Sequence, residues 1–495
     1  MSLKSSTAGA LSKIVKAQTK KWASNAVGVQ QKVFQNLIKS AADTAFGKEH
    51  NFKEIKTYED FRKRVPVRDY EDLRPYIERI LKGEKNVLWK GLPLYFAKTS
   101  GTTSGAKYIP ITKESMPYHI TAARNALLHY IAETGNTRFV DGKMIFLQGS
   151  PVLEEKNGIK IGRLSGIVAH YIPKYLQKNR LPSWETNCIE DWETKVDAIV
   201  EETIAEDMTL ISGIPPWVVM YFEKLQEKSG EKVGDLFKNF SLFVYGGVNY
   251  EPYRAKFEKL IGRKVDSIET FPASEGFFAY QDTQKEKGML LLLHSGIFYE
   301  FIKADEFFHE NPRRYTIGEV ELGVNYAMII STNAGLWGYN IGDTVQFTSL
   351  NPYRVIVSGR IKHFISAFGE HVIGSEVENA LKAALSEFPE VAVNEFTVAP
   401  NVTPAEGGLP YHQWLVEFAT PPEDVVAFGL KIDQALQKLN TYYFDLIQGS
   451  ILQPLKIASL PVGTFAEYMK SQGKLGGQNK LPRLSNNRKI ADAVL

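Results

Sequence analysis

Residues 98–107 read Lys-Thr-Ser-Gly-Thr-Thr-Ser-Gly-Ala-Lys, and Tyr-Ile-Pro-Ile-Thr follows at 108–112. The seven residues after Lys98 carry five hydroxyl side chains and two glycines. Glycines let backbone amides approach an anion closely, and hydroxyls add donors for phosphate oxygens. The stretch therefore predicts a phosphate-binding turn formed by Ser100, Thr102, Thr103 and Ser104. A Ser/Thr/Gly-rich surface hairpin is the alternative that composition alone leaves open.

This turn is not a mononucleotide-kinase loop. The P-loop pattern needs four residues between its glycines and then Gly-Lys-Ser/Thr. Here three residues separate Gly101 from Gly105, and Lys107 follows an alanine and precedes a tyrosine. Lys107 is a candidate to steady a leaving pyrophosphate, and a surface lysine is the competing interpretation.

The composition is that of an ordinary soluble protein. The chain has 495 residues, 44% of them apolar and 23% charged, which argues against a disordered or fibrous protein. The net charge of +3 gives no global field for nucleic acid or an acidic membrane. One cysteine excludes an internal disulfide, and no apolar run reaches the roughly 18 residues of a membrane span. We expect a cytoplasmic protein without nucleic-acid or membrane partners.

The chain divides into two regions of different pattern. Up to residue 359, helical stretches alternate with strand-like runs such as 143–147 and 241–247, which is typical of a large α/β body. Beyond residue 360, two helices and a few strands indicate a smaller α+β domain. Ser375 and Glu378 have capping-box spacing at the start of the first of these helices. The predicted domains are therefore 1–359 and 360–495.

Three later segments carry groups suited to a nucleotide. Residues 245–249, Tyr-Gly-Gly-Val-Asn, end a buried strand where open backbone groups can meet a purine edge. Residues 269–276, Glu-Thr-Phe-Pro-Ala-Ser-Glu-Gly, place an aromatic ring, a hydroxyl and a carboxylate close together, for adenine, α-phosphate and Mg²⁺ respectively. Residues 339–343, Tyr-Asn-Ile-Gly-Asp, offer one carboxylate for two ribose hydroxyls. Taken singly, each has an equally good structural interpretation.

The order of these motifs, with Gly359-Arg360 after them, resembles that of adenylate-forming enzymes. It is most similar to the auxin-responsive (Gretchen Hagen) family of acyl-acid amido synthetases and its bacterial members. The resemblance implies an α/β fold of adenylate-forming type with a mobile C-terminal domain. It also implies an ATP-dependent ligase that adenylates a carboxylic acid and passes the acyl group to an amino acid.

The resemblance implies a role for each motif. The residues expected to bind phosphates are Ser100, Thr102, Thr103 and Ser104, and those expected to bind adenine are Gly246, Gly247, Val248, Asn249 and Phe271. Ser274 is expected to contact the α-phosphate and Glu275 to bind Mg²⁺. The ribose is expected to be bound by Asp343 and Arg360. The family's late motif matches residues 477–483, Gly-Gln-Asn-Lys-Leu-Pro-Arg, and makes Lys480 the catalytic residue. A mobile ammonium there would neutralise charge on the attacked phosphorus. A solvated basic tail, or a nucleic-acid tail, is the alternative for the six basic residues of 470–490.

Two departures from the family's pattern bear on the second half-reaction. Phe271 stands where plant members have tyrosine, and Asn340 where they have a basic residue. Residues 358–362, Ser-Gly-Arg-Ile-Lys, look more like acyl-coenzyme A synthetases, in which the position of Lys362 is a hinge. A coenzyme A ligase and a nucleotide-binding protein without turnover therefore stay open as alternatives.

Overall fold

The computed structural model describes residues 2–102, 105–172, 177–247, 250–361, 364–365, 372–448, 451–475, 480–485 and 487–495. It has a mixed α/β fold, as the sequence predicts. The helices are α1 Leu3–Ala23, α2 Ala26–Ala41, α3 Ala45–Glu49, α4 Tyr58–Arg64, α5 Tyr70–Leu81, α6 Met116–Thr134, α7 Leu164–Ala169, α8 Trp184–Asn187, α9 Trp192–Thr203, α10 Pro215–Ser229, α11 Val233–Leu236, α12 Glu251–Ile261, α13 Gly374–Glu387, α14 Val425–Leu439, α15 Thr441–Gln448, α16 Thr464–Ser471 and α17 Ala491–Val494.

The strands of the first part of the chain are β1 Tyr95–Thr102, β2 Gly105–Ile111, β3 Lys143–Phe146, β4 Glu154–Lys156, β5 Ile159–Gly162, β6 Arg180–Leu181, β7 Met208–Ser212, β8 Leu242–Gly246, β9 Asp266–Ala273, β10 Gly276–Tyr280, β11 Met289–Leu291, β12 Ile297–Lys303 and β13 Asn325–Thr332. The later strands are β14 Tyr339–Leu350, β15 Tyr353–Arg360, β16 Phe364–Ile365, β17 Val372–Ile373, β18 Ala392–Asn401, β19 Tyr411–Thr420 and β20 Lys456–Leu460.

The chain forms two compact units. The first comprises Met1–Lys303, His309–Ile341 and Gln346–Ile356; the second comprises Ala304–Phe308, Gly342–Val345 and Val357–Leu495. The division therefore leaves a few residues of β14 with the second unit. A functional domain boundary at 359/360 stays a prediction.

An eleven-stranded sheet dominates the first unit, in the order β12-β13-β14-β15-β11-β10-β9-β8-β7-β3-β6. Strands β9, β8, β7, β3 and β6 run parallel, so their carboxyl ends share one edge. Such an edge is the usual ligand-binding side of a parallel sheet. A separate four-stranded sheet, β2-β1-β5-β4, carries the hydroxyl-rich stretch.

Apolar helix faces cover the large sheet. Ala122 and Ala126 of α6 pack with Val15 of α1 and with strand residues such as Leu210 and Ile268 in one buried cluster. Phe34, Leu37 and Ile38 of α2 are also buried, as their helical spacing predicts. No helix within the described residues combines the length and apolar character needed to cross a bilayer.

The second unit is a three-stranded sheet, β18-β19-β20, with a core on each face. Alternate residues of β19 separate the two cores: Trp414 and Val416 pack with α13 and α14, whereas Leu415 packs with Phe465 and Leu481. The predicted capping box is wrong in register. Helix α13 begins at Gly374, so its third residue is Glu376, whose carboxylate accepts the Ile373 backbone N–H at 2.9 Å. Glu378 pairs with Arg483 instead.

Candidate active site

The described residues of the hydroxyl-rich stretch lie at the paired ends of strands β1 and β2. Strands β1 and β2 pair antiparallel, with Thr102 opposite Gly105 and an irregularity between Thr99 and Thr102. The backbone of Ser100 lies in β1, and Thr103 and Ser104 lie outside the described residues. The strand pairing is thus compatible with both interpretations of this stretch, and phosphate binding stays a prediction.

Lys107 follows in β2, with its Nζ 5.6 Å from the centroid of the Tyr70 ring. The hydroxyl of the same tyrosine accepts the backbone N–H of Tyr108 at 2.8 Å. Strand β2 is therefore tied to helix α5. This contact gives Lys107 a structural partner and leaves its proposed role towards pyrophosphate untested.

Glycine is required where β8 ends. Gly246 lies opposite Thr270 of β9, and a Cβ at residue 246 would lie only 2.5 Å from the Thr270 carbonyl oxygen. Gly247 has a φ of +76°, which other residues adopt at a cost. Val248 and Asn249 lie outside the described residues. The two glycines thus allow the chain to turn at the sheet edge beside β9.

Phe271, Ser274 and Glu275 lie beyond Thr270 on the same edge. Ala273 pairs with Gly276, so Ser274 and Glu275 are the two central residues of a hairpin turn between β9 and β10. Ser274 is buried, and Phe271 packs edge to face on Phe278 with ring centroids 5.0 Å apart. The structure therefore brings together the predicted adenine, α-phosphate and metal residues that it describes. Phe271 is also part of the core, and stacking on adenine stays a prediction.

Tyr339, a fully buried residue of β14, is a polar neighbour of Glu275. The Tyr339 hydroxyl donates to the Glu275 Oε1 at 3.5 Å. Burial, and then the Glu275 charge, raise the pKa of the Tyr339 phenol, so this group stays a neutral donor. Among the described residues no group of three or more His, Cys, Asp or Glu side chains is arranged to hold a metal. A single carboxylate still suits Mg²⁺ bound together with substrate phosphates, since that ion keeps most of its water ligands.

Asp343, Arg360 and Lys480 come together in the second unit. The Arg360 Nε donates to the Asp343 carboxylate at 2.7 Å. The ammonium of Lys480 interacts with both charges. Its pKa is lowered to about 8, mainly because protein atoms displace water from around the charge, and then by the Arg360 charge. The Asp343 charge opposes this shift. The Lys480 side chain nevertheless keeps an exposed surface, so it is crowded without being sealed from water.

The segment after Lys480 is fastened to the edge strand β18. Val398 donates its N–H to the Arg483 carbonyl at 3.0 Å, and Ser485 donates to the Val398 carbonyl at 2.9 Å. The Thr397 hydroxyl donates to the Pro482 carbonyl at 2.7 Å, and Leu484 is fully buried. Lys480 is therefore held two residues from a fixed backbone rather than on a free tail.

The Arg483 side chain also attaches this segment to β18. The sequence pattern did not predict this role of Arg483. It pairs with Glu395 and, at 3.4 Å, with Glu378. It also donates to the Phe396 carbonyl at 3.1 Å, and its guanidinium lies 4.6 Å from the centroid of the Phe396 ring. The Pro-Arg pair was visible in the sequence, but its acidic partners lie about 90 to 105 residues earlier.

A large α/β unit, a glycine-lined sheet edge and a smaller α+β unit that carries the lysine define the class of adenylate-forming ligases. Solved structures support this fold. The chain matches a GH3.15 acyl acid amido synthetase with a TM-score of 0.80 at 15% identity, covering 98% of this chain and 96% of that one. It matches a 2-hydroxyisobutyryl-CoA ligase with a TM-score of 0.59 at 14% identity, covering 94% and 90%.

Within that class, the chain belongs to the GH3 family. Residues 15–189 match the GH3 family N-terminal domain, 290–360 the central domain and 375–489 the C-terminal domain. A relative in Arabidopsis thaliana, indole-3-acetic acid-amido synthetase GH3.3, is 22% identical over 92% of this chain and 89% of its own. Jasmonoyl–L-amino acid synthetase JAR4 of Nicotiana attenuata is 22% identical over 64% and 66%. The resemblance that the motifs indicated is confirmed.

Proposed function

We propose that the chain is an ATP-dependent acyl-acid amido synthetase. One observation supports this most directly: Asp343, Arg360 and Lys480 come from three separate motifs and form one charged group in the second unit. In the reaction, an oxygen of a carboxylic acid attacks the α-phosphorus of ATP, and pyrophosphate leaves. The neutral amine of an amino acid then attacks the acyl carbon, an amide bond forms, and AMP leaves with the electron pair of the broken bond.

Residues of the first unit bind the nucleotide in this proposal. The hydroxyls and backbone amides of Ser100, Thr102, Thr103 and Ser104 hold phosphate oxygens. The segment Gly246, Gly247, Val248 and Asn249 meets the adenine edge, together with Phe271. Ser274 donates to the α-phosphate. Glu275 would hold Mg²⁺, which offsets triphosphate charge when bound.

Residues of the second unit act on the ribose and the reacting phosphate. The Asp343 carboxylate accepts the two ribose hydroxyls, and Arg360 keeps that carboxylate oriented. The Lys480 ammonium offsets the negative charge that builds up when a carboxylate approaches a phosphate. A pKa of about 8 leaves this ammonium mostly charged at neutral pH. Its attachment through Arg483 limits the positions that it samples.

Product analysis tests the proposal. The protein is incubated with ATP, Mg²⁺ and a panel of carboxylic acids, and acid-dependent exchange between pyrophosphate and ATP is measured. Amino acids or coenzyme A are then added, and the products are identified by mass. We expect an amide and AMP. A thioester would identify a coenzyme A ligase, and ATP binding without any exchange would identify a protein without turnover.

A further inference from the structure

A group of buried hydrogen-bond donors lies at the carboxyl ends of β3 and β7, in the first unit. It consists of Gln148, Ser165, Trp192, Lys195 and Trp217, which we call the donor cluster. Gln148 Nε2, Ser165 Oγ and the two indole Nε1 atoms are buried and have no hydrogen-bond partner among the described residues. A buried donor without an acceptor costs free energy, so such groups usually mark a bound ligand or water.

Lys195 is the charged member of the donor cluster. Its side chain is 2% exposed, and its Nζ donates to the carbonyl oxygens of Gln148 at 3.0 Å and Asn187 at 2.7 Å. In the described part of the chain, no carboxylate lies within ion-pair distance of this ammonium. The pKa of Lys195 is lowered to about 8, mainly by burial; Cys188 opposes this shift, and the nearby Arg163 charge contributes to it. A buried ammonium close to a second cation is stabilised when an anion binds beside it.

Several contacts place the other members of the donor cluster near Lys195. Trp192 precedes Lys195 by three residues on α9, and its ring packs on Trp217 with centroids 4.6 Å apart. A Cβ at Gly149, next to Gln148, would lie 3.3 Å from the Ser165 hydroxyl and 2.9 Å from the Arg163 Cδ. A larger residue at position 149 would displace these side chains, so glycine favours the close approach of residues 163–165 to the end of β3.

The sheet itself brings both sides of the donor cluster together. Leu147 donates its N–H to the Ser212 carbonyl at 2.9 Å, which joins the ends of β3 and β7. A Cβ at Gly213 would lie 2.9 Å from a methyl of Val218, the neighbour of Trp217. The residues that carry the donors therefore lie at the sheet edge at which parallel α/β sheets bind ligands.

We infer that the donor cluster is a buried carboxylate-binding site that takes a carboxylic substrate of the proposed ligation. A carboxylate has about four lone-pair sites, which suits several buried, unpartnered N–H and O–H donors, and the two indole rings suit an organic body. The inference rests on the proposed function for the identity of the ligand. The carboxylate comes either from the acid that is adenylated or from the acceptor amino acid. The Asn187 Oδ1, which is also buried without a partner among the described residues, could accept from an amino group.

The first test measures binding without turnover. Sodium phenylacetate and each of the twenty amino acids are titrated against the protein, and tryptophan fluorescence is recorded. We expect saturable changes for one of the two ligand types, lost in Trp192→Phe. Lys195→Met should raise Kd at least tenfold, whereas Lys156→Met removes an equal charge from the exposed β4–β5 hairpin and should leave Kd unchanged. Wild-type protein that binds neither ligand type would overturn the inference.

The second test identifies the source of the carboxylate. If the site holds the acid, Lys195→Met raises KM for the acid in pyrophosphate exchange at least tenfold and leaves KM for ATP unchanged. If it holds the amino acid, exchange is unchanged, and KM for the amino acid in amide formation rises at least tenfold. Unchanged KM values for both substrates in a folded variant contradict the site.

A second variant guards against a folding defect in Lys195→Met. Gln148→Glu replaces an unpartnered amide donor of the donor cluster with a carboxylate, which repels a carboxylate ligand. We expect the same loss of binding. A folded Gln148→Glu protein with unchanged Kd and KM would overturn the inference. Wild-type protein that shows no acid-dependent exchange would contradict the proposed function alone, since the fluorescence titration reports the site independently.

Discussion

The Arg360 guanidinium donates to the Asp343 carboxylate at 2.7 Å, although the two residues belong to different motifs on neighbouring strands. The carboxylate is mostly buried, with 14% of its side chain exposed, whereas the Arg360 side chain is 57% exposed. The ion pair therefore holds the Asp343 carboxylate against the protein and leaves the Arg360 guanidinium exposed to solvent. A carboxylate held in this way is prepared to accept further hydrogen bonds from a ligand.

Replacing this carboxylate should weaken nucleotide binding. Asp343→Asn keeps the size of the side chain but removes the charge that strengthens hydrogen bonds to ribose hydroxyls. We expect ATP affinity to fall about tenfold, or about 1.4 kcal/mol. Calorimetric titration with ATP measures this, and Asp305→Asn on an exposed segment of the same unit is the control. Normal ATP affinity in Asp343→Asn would refute the ribose assignment.

The rate of adenylation should depend on the charge of Lys480. Its pKa is lowered to about 8, and the protonated form is the active one, so the rate should be full below this pH and fall as pH rises through it. Arg360→Gln removes the second cause of the lowering and should move the falling limb to higher pH. Exchange rates between pH 6.5 and 9.5 test this. A profile that stays flat to pH 9.5 would mean that Lys480 titration does not limit the reaction.

Arg483 should stabilise the second unit and position Lys480. Arg483→Met leaves Glu378 and Glu395 without their shared cation, and we expect the free energy of unfolding to fall by about 2 kcal/mol. The exchange kcat should fall while KM for ATP changes little. Arg488→Met breaks the more exposed pair with Asp492 and should cost under about 1 kcal/mol. Urea unfolding gives both values, and equal losses in the two variants would remove any special role of Arg483.

Glu275 should set the requirement for Mg²⁺. Glu275→Gln removes the carboxylate charge, and we expect the Mg²⁺ concentration at half-maximal exchange to rise about tenfold or more. Tyr339→Phe removes only the hydroxyl that donates to Glu275 and should leave this concentration nearly unchanged. Titration of exchange activity with MgCl₂ compares the two variants. An unchanged Mg²⁺ requirement in Glu275→Gln would assign the metal to other residues.

Local patterns were sufficient to predict the two-part architecture and several elements. The strand at 241–247 and the apolar stripe of α13 follow from periodicity, which depends only on neighbouring residues. The order of the motifs predicted the family. The juxtaposition of Asp343 with Arg360 followed from that resemblance and not from spacing, because the sequence does not reveal the register between strands.

Long-range partners explain what could not be predicted. Glu378 has the right spacing from Ser375 for a capping box, yet Arg483 engages it, and Glu376 caps the backbone of Ile373 instead. Neither sequence segment by itself indicates that Glu378 pairs with Arg483. Lys195 likewise looks like a solvated residue on an amphipathic helix, and only the packing of α9 on the end of β3 shows that it is buried.

The most direct test of the account is acid-dependent exchange of labelled pyrophosphate into ATP by Lys480→Ala, compared with wild type. Loss of an electrostatic contact made in the transition state predicts a fall of about 10²-fold or more. ATP affinity, measured on the same protein, should stay nearly intact. An exchange rate equal to that of wild type would remove Lys480 from the mechanism and contradict the account.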